Sequence, residues 1–225
     1  MAEVIDVAGL VGHPRKTKTA IDQIVASLQR GEINVFAIES AYVYACNAFD
    51  QEAVQRLHTL RGDDFGTACQ VMIGNVQTLE GLAQDVSPDI KKLAKAFWPG
   101  LLTLHVQPHR GLNWDLGDGG ELGEFAVRIP KGDFFQQVLA LSGPLAVASA
   151  SLAGRPPVRD IGGIVALYSD IGIYADEGVL KAGKASTVVR QSVIGVESGL
   201  EVLREGAVTL ARLKKVLPSI SLASE

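Results

Sequence analysis

The most informative stretch of the sequence is Phe97-Trp98-Pro99-Gly100-Leu101-Leu102-Thr103-Leu104. Before it, Pro88 to Phe97 has helical spacing, and Pro88 stands where a first-turn proline belongs. After it, Leu101 to Val106 is a short apolar run typical of a strand. The stretch therefore links a predicted helix to a predicted strand.

Outward from this link, the rest of the chain shows the same mixture of elements. Further helices are predicted at Thr19 to Arg30, Gln51 to Leu60, Val76 to Ala83, Lys131 to Leu141, Arg159 to Leu167 and Thr209 to Leu217. Further strands are predicted at Ile33 to Ile38, Cys69 to Ile73, Phe125 to Ile129, Leu145 to Ala148, Ile171 to Tyr174, Ser186 to Arg190 and Glu201 to Arg204. Helices and strands do not alternate strictly, which favours one α/β domain on a mixed sheet.

Composition limits the class of protein. The 225 residues are 47% hydrophobic and 20% charged, the balance of a compact globular chain. Two cysteines, Cys46 and Cys69, indicate a reducing compartment. The sequence has no run of membrane-spanning length and no secretory signal, so we expect a cytoplasmic protein that does not contact a membrane. A net charge of −4 excludes a dedicated non-specific nucleic-acid binder unless a local basic patch exists.

Residue types alone leave the chemistry open. The sequence has no phosphate-binding Walker loop, dinucleotide fingerprint or zinc-protease motif, and its four histidines lack zinc-site spacing. The residues therefore predict no metal site.

Ser149-Ala150-Ser151 follows a predicted strand, where hydroxyls and free N–H groups suit an anionic ligand. An ordinary small-residue turn is the alternative. Several such strand ends, together with Arg128, suggest a cleft.

Six motifs, in the same order along the chain, resemble those of the YrdC/TsaC family, the L-threonylcarbamoyladenylate synthases. Residues 97–104 resemble its FWPGPLTL motif, and Ala126-Val127-Arg128-Ile129-Pro130 its AVRIP strand. Ser149-Ala150-Ser151 stands where the family has SAN, Ser186-Thr187-Val188-Val189 looks like STVV, and Arg204-Glu205-Gly206-Ala207 like RPGA. Glu39-Ser40-Ala41-Tyr42 lies where the family has a PTETVYG-type motif. The resemblance covers about residues 17 to 210.

The resemblance implies an α/β fold: a single YrdC-like domain with a twisted, open mixed sheet, flanking helices and a deep basic cleft. We expect residues 17–210 to form this domain, after an N-terminal extension (1–16) and before a C-terminal helix and tail (211–225). Such enzymes condense ATP, L-threonine and bicarbonate to threonylcarbamoyl-AMP and pyrophosphate, for N6-threonylcarbamoylation of adenosine 37 in tRNA. ATP enters as a substrate complex with Mg²⁺, and no tightly bound cofactor is implied.

Site residues are carried over by position. The resemblance implies that L-threonine is held by Arg128, Ser186 and Tyr42. It implies that the nucleotide is contacted by Arg61, Ser149, Ser151, Arg159 and Arg204. A guanidinium suits the carboxylate of threonine, and cationic groups suit the phosphates.

The departures from the family pattern cluster in the site. The KxR motif becomes Arg61 and Asp63, and a carboxylate at Asp63 is expected to repel a triphosphate. Further departures are Ile38 for a threonine, Glu124 for a threonine or serine, Ser151 for an asparagine and Arg159 for a hydroxyl residue. This pattern is similar to the divergent YciO-like branch. Alternatives to a synthase are therefore a catalytically weak module that binds nucleotide or double-stranded RNA, and a scaffold acting through protein contacts.

Overall fold

The computed structural model describes residues 2–121, 123–164, 171–194 and 197–223. Its helices are α1 (Pro14–Gln29), α2 (Gln51–Arg61), α3 (Val76–Leu82), α4 (Pro88–Phe97), α5 (Asp133–Ser142) and α6 (Leu210–Val216). Its strands are β1 (Glu3–Asp6), β2 (Ile33–Ile38), β3 (Ala41–Asn47), β4 (Gln70–Met72), β5 (Leu102–Val106), β6 (Phe125–Arg128), β7 (Leu145–Ser149), β8 (Ile171–Asp176), β9 (Thr187–Ile194), β10 (Glu197–Arg204) and β11 (Ser221–Leu222).

The strands form one open mixed sheet, as predicted. Their order is β1-β8-β2-β3-β7-β4-β6-β5-β9-β10-β11, so β1 and β11 are the two edges of the described sheet. Parallel pairs such as β4/β6 and β5/β9 alternate with antiparallel pairs such as β5/β6 and β9/β10. Strands distant in sequence thereby become neighbours at the centre of the sheet.

Two hydrophobic clusters pack on opposite sides of β2, which is buried along its whole length. Val35 and Ala37 belong to the cluster that includes apolar residues of α2, α3, α4 and α6. Phe36 and Ile38 belong to the cluster under α1 and α5. Because successive strand residues point to opposite faces, a strand covered on both sides reads as a continuous apolar run.

Local signals set the start of α4 and the end of α2. Ser87 caps α4, its Oγ accepting the Ile90 N–H at 3.3 Å, and Pro88 follows at the first helical position. At the end of α2, Gly62 has φ +63°, the left-handed conformation that terminates a helix and that glycine adopts without steric cost.

Some predicted elements were wrong. Arg159 to Leu167 is not a helix: Ile161–Gly163 forms a single 3-10 turn, residues 165–167 lie outside the described residues, and two prolines precede the segment. Three strands were missed. In β3, Tyr42 to Cys46 are all buried, so no polar alternation marks the strand. Strands β1 and β11 are short, and each pairs with one neighbour at a sheet edge.

Candidate active site

A cavity of about 350 Å³ lies over the centre of the sheet, between strands β4, β5, β6 and β9. Side chains from alternate positions on these strands line it: Gln70, Thr103, His105, Ala126 and Val188. The register places Thr103 opposite Val188 and His105 opposite Ala126. The intervening residues, including Leu104 and Val127, face the buried core. Strand alternation therefore puts the polar side chains on the open face of the sheet.

A chain of hydrogen bonds crosses this cavity. Gln70 donates from Nε2 to Thr103 Oγ1 at 2.8 Å, and Thr103 Oγ1 donates to Ser186 Oγ at 2.8 Å. Arg204 donates from Nη2 to the Ser186 carbonyl at 3.0 Å, and Ser186 Oγ lies 3.4 Å from the same nitrogen. Ser186 and Arg204, predicted separately for threonine and nucleotide, are thus in direct contact.

The cavity carries charges of both signs. Glu124 lines it together with Arg204. The Glu124 carboxylate lies 3.3 Å from His105 Nδ1 and 3.8 Å from Arg190 Nη1. Arg190 also pairs with Glu201. The wall of the cavity therefore offers a carboxylate, a guanidinium and hydroxyl groups to one ligand.

A second group of predicted residues forms around Arg61, at the end of α2. Arg61 donates from Nε to Asp63 Oδ2 at 2.8 Å, and His58 Nδ1 lies 2.9 Å from the same oxygen. The Asp63 side chain is only 4% exposed. The carboxylate expected to repel a triphosphate is therefore buried against Arg61 and His58.

The same guanidinium also holds the loop after β7. Arg61 Nη1 donates to the carbonyls of Ser149 and of Ser151, the latter at 2.9 Å. The two serine Oγ atoms lie 3.0 Å apart. Three of the residues predicted for the nucleotide are thus brought together. Arg159 lies farther along this loop with an exposed side chain, and its carbonyl accepts the Leu180 N–H at 2.8 Å.

Arg128 lies on the same face of β6 as Ala126, two residues farther on, and its charge is already paired. Its Nη1 donates to both Glu39 carboxylate oxygens, at 2.9 and 3.0 Å, and the side chain is 4% exposed. Glu39, at the β2–β3 turn, also accepts the Lys131 N–H at 2.9 Å. The buried Arg128 Nε has no hydrogen-bond partner among the described residues.

Tyr42 points its hydroxyl at the segment after β8. The Tyr42 hydroxyl donates toward Asp176 Oδ1 at 2.9 Å or the Gly178 carbonyl at 2.8 Å, and it accepts the Glu177 N–H at 2.9 Å. Burial raises the pKa of Tyr42 well above its usual value. These contacts connect Tyr42 to residues 176–178, whereas Ser186 and Arg204 belong to the cavity over β5.

Sequence reasoning missed Gln70, Thr103 and His105 as lining residues. Their signal was present: Thr103 belongs to the stretch at residues 97–104, and polar residues at alternate positions of a strand mark one exposed face.

Within the described part of the chain, no group of three or more metal-ligating side chains occurs. The described helices include none that is long and apolar enough to cross a membrane.

Comparison with known proteins identifies the family. Residues 26–206 match the Sua5/YciO/YrdC family, described as "Telomere recombination". The chain belongs to this family. A Mycobacterium leprae member named "Putative threonylcarbamoyl-AMP synthase" is 34% identical over 96% of this chain and 94% of its own length. The Pyrococcus abyssi threonylcarbamoyl-AMP synthase is 30% identical over 86% of this chain and 56% of its own length.

Solved Sua5/YciO/YrdC structures share the fold. P. abyssi Sua5 complexed with L-threonine superposes with a TM-score of 0.79 at 26% identity, covering 99% of this chain and 62% of that one. Escherichia coli YciO superposes with a TM-score of 0.71 at 22% identity, covering 84% of this chain and 90% of that one. The resemblance carried by the sequence motifs and the predicted fold class are both confirmed.

Proposed function

We propose that this family member is an L-threonylcarbamoyladenylate synthase, condensing ATP, L-threonine and bicarbonate to threonylcarbamoyl-AMP and pyrophosphate. The product would serve threonylcarbamoylation of adenosine 37 in tRNA. The observation that carries the proposal is the cavity in which Ser186 contacts both Thr103 and Arg204. It belongs to a chain that is similar over nearly its whole length to relatives named as such synthases.

The chemistry of the cavity supports binding of a hydroxyl amino acid. Gln70, Thr103 and Ser186 present an amide and two hydroxyls, which can exchange hydrogen bonds with a side-chain hydroxyl. Arg204 suits a carboxylate and Glu124 suits an ammonium group. We assign Arg128 a place near the amino acid, with Glu39 fixing the guanidinium.

We assign nucleotide binding to Arg204, to Arg61 and to the residues around them. Adenylation moves charge onto phosphate oxygens, so it needs cationic groups around a magnesium complex of ATP rather than a covalent nucleophile. Arg61 is fixed by Asp63 and supports the loop carrying Ser149 and Ser151. Arg155 and Arg159 on that loop are exposed and available to phosphates.

We also propose a cytoplasmic location. Cys46 and Cys69 are both free thiols, as expected in a reducing compartment, and ATP is abundant there.

Calorimetric titration with L-threonine and with ATP·Mg²⁺ tests the binding site. We expect Ser186→Ala to weaken threonine binding about tenfold through loss of a hydrogen bond. Ser219→Ala, an exposed serine outside the cavity, is the matched control and should bind like the parent protein. Equal threonine affinity in the parent and Ser186→Ala would contradict the assignment. Binding of nucleotide or double-stranded RNA without threonine-dependent turnover would favour the catalytically weak module.

A further inference from the structure

A histidine and a carboxylate face each other across the antiparallel strands β5 and β6, at the wall of the cavity. His105 lies on β5, and Glu124 immediately precedes β6. His105 Nδ1 and Glu124 Oε1 are 3.3 Å apart, with side chains 26% and 33% exposed. Both residues line the cavity that contains Ser186 and Arg204. Neither residue is required by the hydrogen-bond chain through Gln70 and Thr103.

The pairing sets the chemical character of the imidazole. A carboxylate beside Nδ1 favours the tautomer with its proton on Nδ1, which leaves the lone pair on Nε2. No hydrogen bond to His105 Nε2 occurs among the described residues. The carboxylate also stabilises the imidazolium that forms when Nε2 accepts a proton. A partly exposed base with a supporting carboxylate is therefore available at the cavity.

The proposed reaction requires a proton acceptor. The α-amino group of an amino acid is protonated near neutral pH, and an ammonium nitrogen has no lone pair with which to attack carbon. We propose that His105, supported by Glu124, accepts this proton from the bound amino acid. This inference rests on the proposed function, because it concerns the same site and the same substrate.

The step balances in atoms and charge. His105 Nε2 takes one proton from the ammonium group and leaves a neutral amine. The amine lone pair forms the new N–C bond to the carbon of bicarbonate, and a C–O bond of bicarbonate breaks. The departing hydroxide takes a second proton from the nitrogen and leaves as water, giving an N-carboxylate. His105 then returns its proton to solvent.

Charged groups of both signs surround the imidazole. Arg190 on β9 is the register partner of His105, and Arg204 on β10 lines the same cavity. Glu124 lies beside His105, and Glu201 forms an ion pair with Arg190. Cys69, which also lines the cavity, is uncharged because burial raises its thiol pKa to about 12.

The test measures pyrophosphate release from ATP·Mg²⁺, L-threonine and bicarbonate between pH 6.5 and 9.5. At pH 7 we expect His105→Gln to be about 100-fold slower than the parent, a typical loss for a general base. The deficit should shrink by up to about tenfold per pH unit as the amine of free threonine deprotonates in solution. Glu124→Gln should show a smaller deficit with the same pH trend. His13→Gln, an exposed histidine that does not line this cavity, is the control and should match the parent.

Two readouts separate the outcomes. Threonine binding by calorimetry should stay within about threefold of the parent in His105→Gln, which shows that the variant is folded and loaded. A deficit that is constant with pH, or no deficit, would overturn the role of His105 while leaving the proposed function intact. A parent protein that releases no threonine-dependent pyrophosphate would overturn the proposed function and this inference together.

Discussion

Arg128 and Glu39 form a buried ion pair, in which one guanidinium nitrogen contacts both carboxylate oxygens at 2.9 and 3.0 Å. The pair joins the end of β6 to the turn between β2 and β3, two segments 89 residues apart in sequence. Glu39 has φ +37°, an uncommon conformation for a residue other than glycine. The pair therefore holds the end of β6 against the β2–β3 turn.

Removing one member of this pair should destabilise the protein. Arg128→Ala leaves the Glu39 carboxylate buried without its cation, and we expect a loss of about 3–5 kcal/mol in the free energy of unfolding. The Glu39→Ala/Arg128→Ala double variant should recover part of that loss, because it removes both charges. Arg15→Ala, an exposed arginine on α1, is the control. A single variant as stable as the parent in urea unfolding would contradict a buried ion pair.

Restoring the family arginine at position 63 should harm the fold. Asp63 is 4% exposed and lies against Arg61 and His58, so Asp63→Arg would bury a cation beside a cation. We expect a loss of at least about 3 kcal/mol, seen as a lower thermal midpoint. Asp64→Arg, the exposed neighbour, should change stability by less than about 0.5 kcal/mol. A stable Asp63→Arg protein with tighter ATP binding would show that the side chain can turn toward the nucleotide.

A methyl group at Gly206 should disturb the cavity without touching a ligand. A Cβ there would lie 2.3 Å from the Ala185 carbonyl and 2.7 Å from the Ser186 backbone, which must shift. We expect threonine affinity to fall at least about tenfold in Gly206→Ala because Ser186 moves. Gly199→Ala on β10 is the matched control, since a Cβ at that glycine meets no atom within 4 Å. Unchanged affinity in Gly206→Ala would separate Ser186 from threonine binding.

Alkaline pH should destabilise the fold. Burial raises the pKa of Cys69 and of Tyr44, each to about 12, and also raises that of Cys46. An unfolded thiol titrates near pH 8.5, so above that pH the unfolded chain loses protons first and folding stability falls. The free energy of unfolding should drop by up to about 1.4 kcal/mol per pH unit for each buried thiol. Urea midpoints at pH 7 and pH 10 measure this.

The cysteines can be isolated as the cause. The Cys46→Ala/Cys69→Ala variant should lose less stability between pH 7 and pH 10 than the parent. Equal losses would assign the effect to the tyrosines. An unchanged midpoint in the parent would show that both thiols already ionise in the folded protein.

The sequence predicted the elements whose patterns are local. Strand β2 was predicted with its observed bounds because five of its six residues are apolar, and α4 because Pro88 marks its start. The short edge strands were missed, since two to four residues carry little periodicity and depend on a neighbour for pairing. The helix predicted at Arg159 to Leu167 was wrong. The prediction followed the spacing of apolar residues and gave too little weight to the two prolines that precede the segment.

The sequence supplied candidate site residues but not their contacts. Motif positions predicted roles for Ser186 and Arg204, and the structure brings the two within hydrogen-bond distance. Hydrogen bonds between residues far apart in sequence could not be predicted. Arg61 and the Ser151 carbonyl that it contacts are 90 residues apart. Asp63 was expected to act on a ligand, whereas its carboxylate contacts Arg61 and His58 at the end of the preceding helix.

The most direct test of the central claim is product formation by the parent protein. The protein is incubated with ATP·Mg²⁺, L-threonine and bicarbonate, and pyrophosphate is measured while the nucleotide product is identified by mass spectrometry. We expect stoichiometric pyrophosphate and threonylcarbamoyl-AMP, and neither when threonine or bicarbonate is omitted. Pyrophosphate release that ignores threonine, or no nucleotide product from protein shown to bind threonine, would contradict it.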